Sequence, residues 1–282
     1  MKEQVLKERL KRAANDLNIA FNDAWHQLIL QRFLVRLSIS SYADRFILKG
    51  GMLLAHYIDL ERETRDIDFL VTRMQIEKAR IQTALEEIVN QDPFDDFSFK
   101  FTSINDLAHV HMKYPGFTAK ISAQIGNMKG TINIDIGIGD LVDPIKDSLE
   151  LMTASEKPLF EDVISLLVYP PETIFAEKLQ TAAARGSANS RMKDYHDLIS
   201  IIINERMIDK NRLVSQIKKT FSHRSSDLRL LPLKFSEKEL GQLQNYWKSY
   251  KEKQKNRGKN LPDSIDAVIS VINNWLSAIS LF

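Results

Sequence analysis

Asp66 and Asp68 are two carboxylates separated by one apolar residue, in the run Asp66-Ile67-Asp68-Phe69-Leu70-Val71. On an extended strand, side chains two apart point the same way, so the acids share one face while Ile67, Phe69 and Val71 share the other. Two carboxylates on one face offer hard oxygen donors, which suit Mg2+, the ion that usually accompanies nucleotide phosphates. Upstream, the short apolar run Phe46 to Lys49 meets the double glycine Gly50-Gly51 and then the apolar segment Met52 to Ile58. That order predicts a strand, a tight glycine turn and a helix. The glycines let the backbone come close to a phosphate, and the helix N-terminus favours negative charge. A third carboxylate comes from Gly130 to Gly137 (GTINIDIG), which alternates strictly and predicts a strand. Ile132, Ile134 and Ile136 face one way on it, and Asn133, Asp135 and Gly137 the other. A lone carboxylate amid three isoleucines on a central strand is costly unless it is paired or bound to a cation. The competing reading is an edge strand with Asp135 solvated. These residues together predict an enzyme that handles a nucleoside triphosphate.

The elements that must position these residues are readable around them. Residues 1–44 predict two helices with a break at Asn15 to Asn18. The second, Phe21 to Leu37, carries Trp25, Leu28, Ile29, Phe33 and Leu37 on one stripe, with Arg32 and Arg36 solvated or paired. Met74 to Val89 has the spacing of an amphipathic helix, ended by Asp92-Pro93. Phe97 to Phe101 and Ala119 to Gly126 predict strands. From Tyr169 strand signals stop: Pro170-Pro171 opens a helix that runs through Ile174 to Arg185, with proline near the first turn where its missing N–H is harmless. A polar loop, Gly186 to Ser190, precedes a helix starting near Arg191. Residues from Leu213 on are helical and basic, and Ser264 to Leu281 predicts a last amphipathic helix. The reading is an α+β protein: a mixed-sheet domain over 1–168 and a helical, basic domain over 169–282.

Composition bounds the chemistry further. The 282 residues include no cysteine, which excludes disulfides, thiolate metal sites and cysteine nucleophiles. The charged N-terminal stretch MKEQVLKERLKRAANDL has no apolar core and does not read as a signal peptide. No apolar run approaches the roughly 20 residues that span a bilayer, so no membrane partner and a cytoplasmic location are expected. The net charge is only +2, but residues 204–259 carry 15 Lys and Arg against 6 Asp and Glu, which leaves −7 for the remainder. An acidic half joined to a basic half fits a metal-dependent enzyme acting on a polyanion. A lysine-rich solvated helical face is the plain alternative.

Two blocks carry a resemblance to a known family. The first is Phe46-Ile47-Leu48-Lys49-Gly50-Gly51 followed by Arg62-Glu63-Thr64-Arg65-Asp66-Ile67-Asp68. The second runs from Pro171-Glu172 through Ala176-Glu177-Lys178-Leu179 and Arg185 to Lys193-Asp194-Tyr195-His196-Asp197. In this order and separation they resemble the AbiEii family of nucleotidyltransferase toxins, which includes the MenT-type toxins of type IV toxin–antitoxin systems. Thr64 stands where the family commonly has serine, keeping a hydroxyl. Lys193 replaces an arginine, keeping charge but not the bidentate fork. His196 occupies a variable position and reads as a surface residue, because none of its helical-face neighbours is a metal ligand.

The resemblance implies a DNA polymerase β-like core. Asp66 and Asp68 would hold Mg2+ bridging a triphosphate whose phosphates lie in Gly50 and Gly51, with Lys49 and Thr64 also on the nucleotide. Asp135 would bind a second Mg2+, lower the pKa of the attacking hydroxyl and act as its base, so that in-line attack on the α-phosphorus expels pyrophosphate. Lys178 would contact the nucleotide phosphates, with a surface salt bridge to Glu177 or Glu172 as the alternative. Asp194 would hold Lys178 or the substrate, or else be a helix-surface aspartate. The expected acceptor is the 3′ end of tRNA, whose modification blocks translation. Lysines interleaved with Tyr246, Trp247 and Tyr250 would supply phosphate contacts and stacking, unless these aromatics are core. A cognate antitoxin is a possible partner. The alternatives are transfer to a protein hydroxyl or a small molecule, and a nucleotide-binding module that performs no transfer.

Overall fold

A computed structural model describes residues 3–75, 77–107, 116–254 and 260–281. The chain forms two compact units. One comprises Met1–His56, Arg65–Asp140 and Pro144–Val168; the other comprises Tyr57–Thr64, Leu141–Asp143 and Tyr169–Phe282.

The first unit is built on strands β1 (Phe46–Lys49), β2 (Asp66–Val71), β3 (Ser98–Leu107), β4 (Gly116–Ile125), β5 (Met128–Ile138), β6 (Ile145–Leu149) and β9 (Ile164–Val168). They form one seven-stranded mixed sheet in the order β3-β4-β5-β2-β1-β9-β6. β2 runs parallel to β5 and antiparallel to β1, while β9 runs parallel to β1. A separate two-stranded ribbon joins β7 (Thr153–Ala154) to β8 (Lys157–Pro158). Helices α1 (Glu3–Asp16), α2 (Phe21–Ile39), α3 (Gly50–Tyr57) and α4 (Lys78–Val89) accompany the sheet. Ile67, Phe69 and Val71 of β2 and Ile132, Ile134 and Ile136 of β5 are buried. Phe69 meets Phe33 of α2 and, edge to face at 5.6 Å, Phe46 of β1. α2 lies so close to β5 that a Cβ on Gly130 would fall 2.7 Å from Ile29, and Trp25 Nε1 donates to the Lys129 carbonyl at 3.1 Å.

Several expectations change. α4 starts at Lys78 rather than Met74, because Arg73 takes a left-handed φ of 55° and Glu77 is extended, breaking the helical run. β3 and β4 are longer than their alternating cores, and β6 to β9 were not foreseen. β6 is an edge strand with mostly exposed residues, so it lacks the alternation that marks a half-buried strand. Arg32 and Arg36 are buried and paired. Arg36 grips Asp95 through two hydrogen bonds of 2.7 and 2.8 Å, and Arg32 bridges Asp95 and Asp162.

The second unit contains α5 (Pro171–Arg185), α6 (Met192–Ile203), α7 (Lys210–His223), α8 (Glu237–Gln254) and α9 (Ile265–Ala278). Pro171 opens α5, Asp209 caps α7 by accepting from the backbone N–H groups of Asn211 and Arg212, and Ser264 caps α9. Phe175 packs on Trp275 at 5.1 Å. Trp247 is fully buried, donates to the Pro262 carbonyl and stacks on Tyr250. Trp247 is therefore core and offers no platform to a base, which corrects that part of the expected nucleic-acid surface. Lys255, Arg257 and Lys259 of the basic run lie outside the described residues.

Candidate active site

Register assembles the first cluster. Asp66 lies opposite Asn133 and Asp68 opposite Asp135, all on the face of β2 and β5 turned away from the buried isoleucines. β5 has β4 on one side and β2 on the other, so it is interior and the edge-strand reading of Asp135 is wrong. Asp66, Asp68 and Asp135 all keep partial exposure. Asn133 Nδ2 donates to Asp66 Oδ1 at 3.3 Å. Gly50 has a φ of 74°, and a Cβ there would fall 2.0 Å from Asp68 Oδ2. Only glycine satisfies both conditions: the backbone is left-handed, and the Asp68 carboxyl occupies the space of a side chain. Gly50 and Gly51 form the first turn of α3 rather than a separate loop before it. Lys49, opposite Asp68 on β1, donates to Asp140 Oδ2 at 3.0 Å.

The donor set fits a hard divalent cation. Three part-exposed carboxylates stand on one face of adjacent strands, and Mg2+ binds through one or two carboxylates together with substrate phosphates rather than in an all-protein cage. Among the described residues, no group of three or more His, Cys, Asp or Glu is placed to hold a metal ion by itself.

The second cluster lies within the helical unit. Lys178 on α5 reaches Asp197 Oδ2 at 2.6 Å and Asp194 Oδ1 at 3.3 Å, both on α6. Its expected alternative partners are engaged elsewhere: Glu177 pairs with Arg224, and Glu172 accepts from the Asp209 N–H. Asp194 is buried rather than on the helix surface, and Arg191 adds a 2.8 Å contact to it. Asp197 also receives Arg62 in a two-pronged grip, Nε at 2.7 Å and a terminal nitrogen at 2.8 Å. Arg62 donates in turn to the Thr64 hydroxyl at 3.3 Å. Burial alone would push the Asp197 pKa up, but Lys178 and Arg62 outweigh it and lower the pKa to about 2. Burial would likewise lower the Lys178 pKa, yet Asp197 and Asp194 raise it, so Lys178 is a cation locked to two carboxylates.

In the sequence Asp197 and Arg62 stand only as motif residues, with no role of their own. Asp197 follows Asp194 by three positions and so shares its helix face, a spacing visible in the sequence. His196 corrects the surface reading. It is buried, its Nδ1 sits 2.7 Å from the Tyr250 hydroxyl, and burial holds its pKa below the usual histidine value.

The family profile described as "Nucleotidyl transferase AbiEii toxin, Type IV TA system" matches residues 32–270 of this chain. The chain belongs to the AbiEii family. Both clusters fall inside the matched span, so each sits on the part of the chain that makes it an AbiEii nucleotidyltransferase. No curated protein matches. Two Helicobacter pylori structures are loosely similar. One is JHP933, at 12% identity over 83% of this chain and 95% of that one, with a TM-score of 0.44. The other is described as a candidate nucleotidyltransferase, at 14% identity over 84% and 97%, with a TM-score of 0.41. The AbiEii assignment rests on the family match. Among the described residues, no helix is long and apolar enough to cross a membrane.

Proposed function

We propose that this AbiEii protein is a Mg2+-dependent nucleotidyltransferase that moves a nucleotide from an NTP to the 3′ end of tRNA in the cytoplasm, inhibiting translation. The observation that carries the catalytic part is the register of β2 on β5, which sets Asp68 beside Asp135 on an open face with the Gly50 backbone against the Asp68 carboxyl. Asp66, Asp68 and Asp135 would hold the divalent ions, which when bound supply charge neutralisation on the phosphates and a more acidic attacking hydroxyl. Gly50 and Gly51 present backbone N–H groups at the start of α3 for the triphosphate. Asp135 would accept the proton of the acceptor hydroxyl. Lys178, as in the family motif, supplies a cation for the nucleotide's phosphates, and Asp194 and Asp197 hold its ammonium in a single place. Thr64, whose hydroxyl accepts from Arg62, would also contact the nucleotide, as the family motif implies.

Support for a polyanionic acceptor is the exposed lysine and arginine of α7 and α8, including Lys218, Lys219, Lys248 and Lys253. The test is incubation of the purified protein with total tRNA, Mg2+ and each labelled NTP in turn. Label entering tRNA with at least one NTP is the expected result. Label in protein or in a small-molecule fraction would transfer the proposal to that acceptor. No label in any fraction, with an Asp68→Ala variant still active in cells, would leave a nucleotide-binding module and overturn transfer.

A further inference from the structure

Lys49 ends β1 in the same row of the sheet as Asp68, and Asp68 is followed in that row by Asp135. Its ammonium donates to Asp140 just beyond β5 at 3.0 Å, with both side chains only 15% exposed. The same Nζ lies 3.6 Å from the position a Cβ on Gly137 would take. Gly137 is two residues after Asp135 and shares its face of β5, and β2 lies between β1 and β5. The lysine side chain has therefore crossed β2 and carries its charge over β5, one side-chain position from Asp135. The ammonium therefore stands on the face of the sheet that carries Asp68 and Asp135.

A shielded positive charge there lowers the mutual repulsion of Asp66, Asp68 and Asp135, and it opposes a divalent ion arriving at the same face. We propose that Lys49 is the built-in counter-ion of the acidic face, competing with the divalent metal for it, and that Asp140 holds the ammonium at the far end of β5. This rests on the reading of Asp66, Asp68 and Asp135 as metal-holding residues, and it gives Lys49 a role before any nucleotide binds. It reverses the sign expected of a lysine that serves phosphates alone, whose loss would leave metal binding unchanged.

The test is calorimetric titration of Mg2+ and Mn2+, without nucleotide, into the native protein and into Lys49→Met, Asp140→Asn and the double variant. Thermal melts confirm that each is folded. Loss of the lysine charge should tighten metal binding by about tenfold. Asp140→Asn alone should weaken binding, because the freed ammonium moves onto Asp68 and Asp135, and the double variant should bind like Lys49→Met. Should Lys49→Met fail to fold, Lys49→Gln serves, with the same sign expected. Metal binding to the lysine variant equal to or weaker than native overturns the proposal while leaving the metal-holding reading intact. An equal loss from Asp140→Asn with and without Lys49 makes Asp140 a metal ligand and overturns its assigned part. Absence of metal binding in every protein, both without nucleotide and with a non-hydrolysable NTP analogue present, overturns both readings.

Discussion

Asp68 on β2 and Asp197 on α6 are both aspartates inside apolar runs, but their settings are opposite. Asp68 keeps partial exposure on the open face of a sheet, in a row with Lys49 and Asp135. Asp197 is wholly buried, and its two oxygens receive Lys178 and both prongs of Arg62. The first stands part-exposed beside Asp135, where a cation arriving from solvent can reach it. The second already has its cations, and a fully paired carboxylate has little capacity left for a ligand. The sheet unit keeps its carboxylates part-exposed, while the helical unit buries Asp197 between Lys178 and Arg62. A buried pair of this kind is weak evidence for net stabilisation, because desolvation offsets the Coulomb gain, but removing one partner is costly.

That contrast can be broken by exchanging activity and stability readouts. Asp68→Asn should cut nucleotide transfer by about 10^3-fold or more, while the unfolding free energy stays within about 0.5 kcal/mol of native. A large stability loss would show that Asp68 is structural. Asp197→Asn should do the reverse in stability, costing about 3–5 kcal/mol in urea unfolding, because Lys178 and Arg62 lose their countercharge while buried. An unchanged midpoint would mean the cluster is not the lock described.

Acid sharpens the same distinction. The Asp197 carboxyl is held at about 2 against an ordinary 3.8. A depressed carboxylate contributes stability that is fully present above the ordinary value and is lost as pH falls through the folded one. Titration from about pH 4 down to about pH 2 should therefore remove about 2 kcal/mol, and Asp197→Asn should abolish that segment of the curve. The smallest effect concerns the aromatic tail. Tyr250→Phe removes the hydroxyl that meets His196 but keeps the ring stacked on Trp247, so it should cost about 1 kcal/mol in thermal or urea unfolding. Unchanged stability combined with weakened tRNA binding would return Tyr250 to the nucleic-acid surface.

Local patterns in the sequence already determined a good deal. Period-two alternation set which side of β2 carries Asp66 and Asp68 and which side of β5 carries Asp135, because a strand's geometry leaves no other choice. Proline at 171 and the apolar spacings marked the helices, and the two motif blocks were enough to point to AbiEii. Tertiary structure alone decided the rest, because the deciding contacts join residues far apart in the chain. Sheet order made β5 interior and set Asp68 beside Asp135. The partner of Lys178 is Asp197 as well as Asp194, and the partner of Lys49 is Asp140, 91 residues away. His196 reads as surface from its sequence neighbours, and Trp247 reads equally as stacking platform or core; helix packing buries both. Which acids share a face followed from side-chain periodicity; which are buried in ion pairs followed from contacts between distant segments, and no local pattern encodes that.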